Sequence, residues 1–199
     1  MITKIDNNTA LILIDLQKGI ISTETVHPIR DVIDNVNKLI TEFRKRHLPI
    51  VIVNVDPTES PLLNMRVEVS NFPTDPDARQ QALEAMKKSG FSDIIPQIAS
   101  EPDDIFITKR TWNAFYETRL YEELKKRGVG SIVLTGIATS IGVEGTARAA
   151  SEYGYNLSFA TDAMTDRRMS AHEHSISYIF PRIGQVGTTS EIIESLSPE

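Results

Sequence analysis

The chain has 199 residues, 40% of them hydrophobic and 24% charged, with a formal net charge of -6 and no cysteine. That size and balance suit one globular domain with a substantial core, and the acidic surplus speaks against nucleic acid or anionic membranes as partners. The lack of cysteine excludes disulfides, thiolate metal sites and every mechanism that begins with a thiolate.

The opening "MITKIDNNTA" carries no apolar segment with a cleavage site. No apolar run approaches the roughly 20 residues of a membrane span, so a cytoplasmic protein is expected. "ALILI" (Ala10–Ile14) then predicts a buried strand that ends in Asp15. "IRDVIDNVNKLITEFRKRH" places Ile29, Val32, Ile33, Val36, Leu39, Ile40 and Phe43 on one face of a helix. "PIVIVNV" (Pro49–Val55) predicts a second strand. Asp56 to Asp77 has four prolines and little apolar period, and is expected as a long loop of the lid or partner-binding kind.

"DIFIT" (Asp104–Thr108) predicts a third strand, with Lys109 at its end. "YEELKKRG" predicts the close of a helix at Gly128. "SIVLTG" (Ser131–Gly136) predicts a fourth strand, and the turn after it opens a helix that stops at Gly154. "NLSFAT" (Asn156–Thr161) and "IGQVG" (Ile183–Gly187) predict two more strands. Short β-branched runs alternating with helical periods are the pattern of a single α/β domain with a parallel sheet.

In such sheets ligands bind beyond the carboxyl ends of the strands. Three features fall there: Asp15, Lys109 and the glycine-bearing turn "TGIATSIGVEG". Each also has a structural explanation. Asp15 can cap a turn, although a carboxylate behind a strongly apolar strand is costly to desolvate without a partner. Lys109 can be a solvated strand-end charge. Thr139 and Ser140 are good helix N-caps, and Gly142, then in the first helical turn, either lets the helix approach the sheet or leaves N–H groups facing a ligand oxygen. Trp112, Phe115 and Tyr116 follow Lys109, as core aromatics or as walls of a small pocket. The "AHEH" histidines, His172 and His174, are two apart and do not share a helical face, so they make no metal pair. No phosphate-cradling glycine motif is present.

Taken together, "ALILIDLQKGI", "ITKRTWNAFYETRL" and "VLTGIATSIGVEGTARAASEYGYNLSFATDA" resemble the isochorismatase-like hydrolases of the cysteine hydrolase superfamily. The likeness covers nearly the whole chain. It implies a three-layer α/β/α domain of Rossmann-like topology with a six-stranded parallel sheet, spanning residues 1–199. It also implies that Asp15 and Lys109 match the family's catalytic acid and lysine, that Gln17 belongs to its D-x-Q motif, and that Gly142 stands where most members have their cysteine. True isochorismatases resemble this arrangement, having glycine there too, and hydrolyse a vinyl ether with an acid and water. By the same resemblance the Ile137–Ala138 peptide is cis, the N–H groups of Ala138 and Gly142 form an oxyanion site, and Gln17, Trp112, Phe115, Ile137 and Ala138 line the substrate.

Two departures accompany the likeness. Isochorismatases have Tyr-Ala-His in the turn where this chain has Ile137, Ala138 and Thr139, and only Arg66 offers itself from an approach loop. The metal pattern of the nicotinamidases is reduced to Asp56 without histidine, so neither metal nor cofactor is expected. The expected function is hydrolysis of a small molecule by a homo-oligomer, dimer or tetramer. The alternative is a catalytically degenerate member that binds a small ligand or serves in an assembly.

Overall fold

The computed structural model describes residues 2–70 and 72–196. Strand β1 (Thr9–Ile14) leads through a single turn, α1 (Lys18–Ile21), into the long helix α2 (Ile29–Lys45) and strand β2 (Ile50–Val55). Helix α3 (Pro76–Ser89) precedes β3 (Ile105–Lys109), and α4 (Leu120–Lys126) precedes β4 (Ser131–Ile137). A wide helical turn, Thr139–Val143, runs directly into α5 (Glu144–Glu152). Then come β5 (Asn156–Thr165), α6 (Met169–His174), a second wide turn at Ser175–Ile179, α7 (Phe180–Ile183), β6 (Gln185–Gly187) and α8 (Thr189–Ser195).

The six strands form one sheet in the order β3-β2-β1-β4-β5-β6, and every pairing is parallel. All six residues of β1 are buried, as expected of a central parallel strand covered on both faces. Alternation sorts the core into two layers. Leu11 and Leu13 join Ile50, Ile52 and Val133 beneath α2 and α8, while Ala10, Ile12 and Ile14 join Val51, Val53, Ile132 and Leu134 beneath α4, α5 and α7. The apolar stripe read from the sequence on α2 is buried. Among the described residues no helix is long and apolar enough to cross a membrane.

The Asp56–Asp77 segment is less irregular than expected, though Asn71 lies outside the described residues. Two short 3-10 turns, Pro57–Glu59 and Pro61–Asn64, are capped by Asp56 and Ser60, and Asp75 caps α3. Helix α3 escaped the sequence reading because none of its residues is buried. A helix that sinks no stripe into a core leaves no apolar period to detect.

The strand order reverses between β1 and β4, since β2 and β3 lie on one side of β1, and β4 to β6 on the other. A crevice opens at such a point beyond the carboxyl ends. Gly136 lets β4 lie close against the end of β1 at this point. Its φ is +116°, and an added Cβ would lie 2.1 Å from the Ile14 carbonyl oxygen, so no side chain fits where β4 crowds β1.

Candidate active site

Asp15 and Lys109 meet at that crevice. The Lys109 Nζ lies 2.8 Å from Asp15 Oδ2. Alternation along β3 decides which way the lysine points: Ile105, Ile107 and Lys109 face inward while Phe106 and Thr108 face out. Between Asp15 and Lys109 stands β2, so the lysine must cross two strand spacings, roughly 10 Å, which its long stem allows. Asp15 follows β1 with φ +52°, a left-handed turn that aspartate tolerates better than most residues.

Both groups are almost withdrawn from water, Asp15 5% and Lys109 2% exposed. Lys109 donates to Asp15 and to the carbonyls of Thr111 and Trp112, at 3.2 and 3.0 Å. An ammonium has three protons, so none is left for a ligand: the lysine orients the acid and ties down the loop after β3. Asp15 is the reverse case. Its Oδ1 is buried with no hydrogen-bond partner among the described residues. Burial pushes the Asp15 carboxyl above its ordinary range, against the opposing pull of Lys109.

Gly142 lies directly over this pair, in the first turn of the helical stretch. A Cβ there would stand 2.9 Å from Ile14 Cγ2, 3.0 Å from Asp15 Oδ2 and 3.3 Å from Lys109 Nζ. A side chain at this position would therefore crowd Ile14 and the pair, which would have to give way by a few tenths of an ångström. Gly142→Ala separates two effects of opposite sign. Helix propensity favours alanine by up to about 1 kcal/mol, whereas overpacking a filled site costs about 1–3 kcal/mol. The variant is expected to be less stable than the wild type, with a lower urea midpoint at unchanged m-value. An increase in midpoint would show that the space is open.

The turn itself begins at a cis Ile137–Ala138 peptide bond, as the resemblance implies. Ile137 is buried. The Ala138 carbonyl accepts from Ile141 and Val143 N–H, while the Ala138 N–H has no partner among the described residues. Thr139 and Ser140 do not act as the expected caps: the residue before the turn is Ala138, with no side-chain cap. Instead Thr139, fully buried, donates its hydroxyl to the Thr165 carbonyl at 3.0 Å and meets His172 Nδ1 at 2.8 Å. Ser140 gives both its N–H and its hydroxyl to Asp166 Oδ2, each at 2.8 Å. The other Asp166 oxygen accepts from Arg167 and Arg168 N–H. Asp166 and His172 are thus anchors of the turn that sequence reading missed. The predicted fifth strand stops at Thr161, four residues short of the observed end of β5, so nothing in the sequence placed Asp166 at a strand end.

Two residues expected to line a substrate do not. Gln17 is 0% exposed. Its amide donates to the Val55 and Phe91 carbonyls and accepts from Val55 N–H, so its polar atoms brace backbone. Phe115 is buried and packs on Tyr153 and Tyr155, with centroids 5.3 and 6.0 Å away. Those tyrosines follow α5, about 13 Å of helix from its head, so the ring serves the core at the far end. Trp112 stays near the site. It is 58% exposed, and a Cβ on Gly145 would come 3.3 Å from its own Cβ. Asp56 accepts from the Thr58 N–H and hydroxyl, Arg66 is exposed, and His174 stacks on Tyr178 away from buried His172. Among the described residues no three His, Asp or Glu side chains converge to hold a metal ion.

Residues 9–191 match the family model for the isochorismatase domain. The chain is 39% identical over 188 residues, 94% of each protein, to the isochorismatase family protein YwoC of Bacillus subtilis. It is 26% identical over 194 residues to the isochorismatase of Bacillus subtilis, covering 96% of this chain and 59% of that one. Among solved structures, an isochorismatase family protein from Burkholderia thailandensis superposes with a TM-score of 0.85 at 34% identity, over 98% of this chain and 99% of that one.

Proposed function

The chain belongs to the isochorismatase family, and from that premise we propose that it hydrolyses a small molecule without a covalent enzyme intermediate, with Asp15 as general acid and water as nucleophile. The observation that carries this reading is the buried, unpartnered Oδ1 of Asp15 beside a saturated lysine. A carboxyl whose pKa burial raises, with one oxygen free of partners among the described residues, is suited to take up a proton and give it to a substrate.

A vinyl ether is the substrate class that fits. Proton transfer from Asp15 to the terminal carbon of the double bond leaves an oxygen-stabilised cation. Water adds to the cationic carbon and returns a proton to the carboxylate. The hemiketal so formed breaks into an alcohol and a ketone. The free Ala138 N–H is available to hold a substrate oxygen. An amide offers no basic carbon to protonate, and Gly142 cannot form an acyl intermediate.

The test is to incubate the protein with isochorismate and with a panel of small amides, following products by NMR, before and after dialysis against a chelator. Hydrolysis of the vinyl ether, with the amides intact and the chelator without effect, supports the proposal. Amide cleavage would overturn the acid mechanism. Loss of activity on chelation, restored by zinc, would overturn the metal-free reading. Saturable binding without turnover of either class would favour a ligand-binding member of the family.

A further inference from the structure

Behind the turn lies a closed polar ring that the reaction itself does not use. The His27 backbone N–H donates to Thr165 Oγ1 at 3.1 Å, the Thr139 hydroxyl donates to the Thr165 carbonyl at 3.0 Å, and Thr139 Oγ1 meets His172 Nδ1 at 2.8 Å. The His27 and His172 rings close the circuit, with centroids 4.7 Å apart. The one hydroxyl proton of Thr139 goes to a carbonyl that can only accept, so the bond to His172 must be Nδ1–H donating to Thr139 Oγ1. This leaves His172 Nε2 as the site for a second proton.

We propose that His172 is a positioning residue: it holds the Ala138–Gly142 turn over Asp15 through Thr139, and its pairing with His27 makes that hold fail in acid. His172 is buried, and His27 Nδ1 is buried without a partner among the described residues. A proton added to the His172 ring therefore places a cation in a largely desolvated setting against the His27 ring, with no carboxylate bonded to it among the described residues. Burial first and the His27 ring second hold His172 below the usual imidazole value, while Asp166 beyond β5 and Glu173 on its own helix pull the other way. Asp166 is already bonded to Ser140, Arg167 and Arg168, and Glu144 at the head of α5 is engaged by Arg148 and Ser175. The sign follows. A histidine whose folded pKa is depressed contributes full stability above its unfolded value of 6.5, and that stability falls as pH drops below it.

The kinetic consequence rests on the reading of Asp15 and the turn as the reacting site; the structural consequence does not, so the two fail separately. Amide hydrogen exchange of residues 138–142 and fluorescence of Trp112, the sole tryptophan of the 199-residue chain, are followed from pH 5 to 8. Two variants bracket the role. His172→Asn keeps a donor near the Nδ1 position but does not titrate, and His172→Leu has neither property. In the wild type, exchange corrected for its intrinsic rate is expected to accelerate below about pH 6. His172→Asn should stay protected across the range, and His172→Leu should exchange about tenfold faster throughout. If His172→Leu fails to fold, Thr139→Val removes the acceptor at nearly equal volume and should give the same loss of protection. With a substrate in hand, His172→Asn should keep kcat at pH 7.5 within about threefold of wild type and lose the acid fall in its pH profile. Wild-type protection in both His172→Leu and Thr139→Val, or an acid transition that survives in His172→Asn, would overturn the proposal.

Discussion

Asp15→Asn is expected to lower kcat by about 10²–10⁴-fold, the usual contribution of a positioned general acid, with KM changed much less. The amide oxygen can still accept from Lys109, so the ammonium keeps three acceptors and the fold should survive, as circular dichroism would confirm. The pH dependence of the wild type carries the same assignment. Burial raises the Asp15 pKa, and the acid must be protonated to work, so turnover should fall as pH rises through that raised value. Loss of the His172 hold on the turn in acid should lower turnover on that side as well. A general base would give the opposite dependence at the Asp15 step, with activity rising with pH. Full activity in Asp15→Asn would leave no proton donor at the crevice and sink the catalytic assignment.

Lys109→Met carries the largest expected cost in stability. The pair is nearly inaccessible, at 2.8 Å, and removing one partner of a buried pair costs about 3–5 kcal/mol because the other charge is left without compensation. The Thr111 and Trp112 carbonyls lose their donor at the same time. Asp15 can limit the damage by taking a proton, which adds a pH signature. In the variant its folded pKa rises further above the ordinary carboxylate range. The native state then holds a proton that the unfolded chain releases, so stability must fall with rising pH until the folded pKa is passed. Urea unfolding at about pH 5 and pH 8 should therefore show a larger deficit at the higher pH. An equal deficit at both, or none, would mean that Asp15 is not the group Lys109 compensates.

Much of the architecture was legible before any coordinates, because it depends on local pattern. Six short apolar runs match the six strands to within a few residues at their ends, most plainly at β1, where a strand buried on both faces must be apolar throughout. Helix α2 was legible from its stripe, and Gly128 and Gly154 mark helix ends at φ +66° and +82°, where other residues are disfavoured. Asp15 and Lys109 stood out because charge directly behind an apolar strand demands a partner. Which residue supplied that partner was suggested by a family likeness, and the geometry brings the two together across β2.

What sequence could not determine is what distant elements do to one another. Gln17 and Phe115 follow the two candidate catalytic residues closely, yet backbone bracing claims the first and the far end of α5 the second. His172 read as half of an unconvincing metal pair until β5 and the loop before α2 placed Thr165 and His27 around it. Gly142 had two open explanations that sequence weighed evenly. The distances to Ile14, Asp15 and Lys109 show that a side chain there would crowd the pair beneath it, a contact that only the fold creates. Local pattern reports how each segment meets water, and so it determined the elements and their ends. The contacts that make a site run between segments far apart in the chain, and only their folding together decided which polar atoms are satisfied and which, like Asp15 Oδ1, remain free.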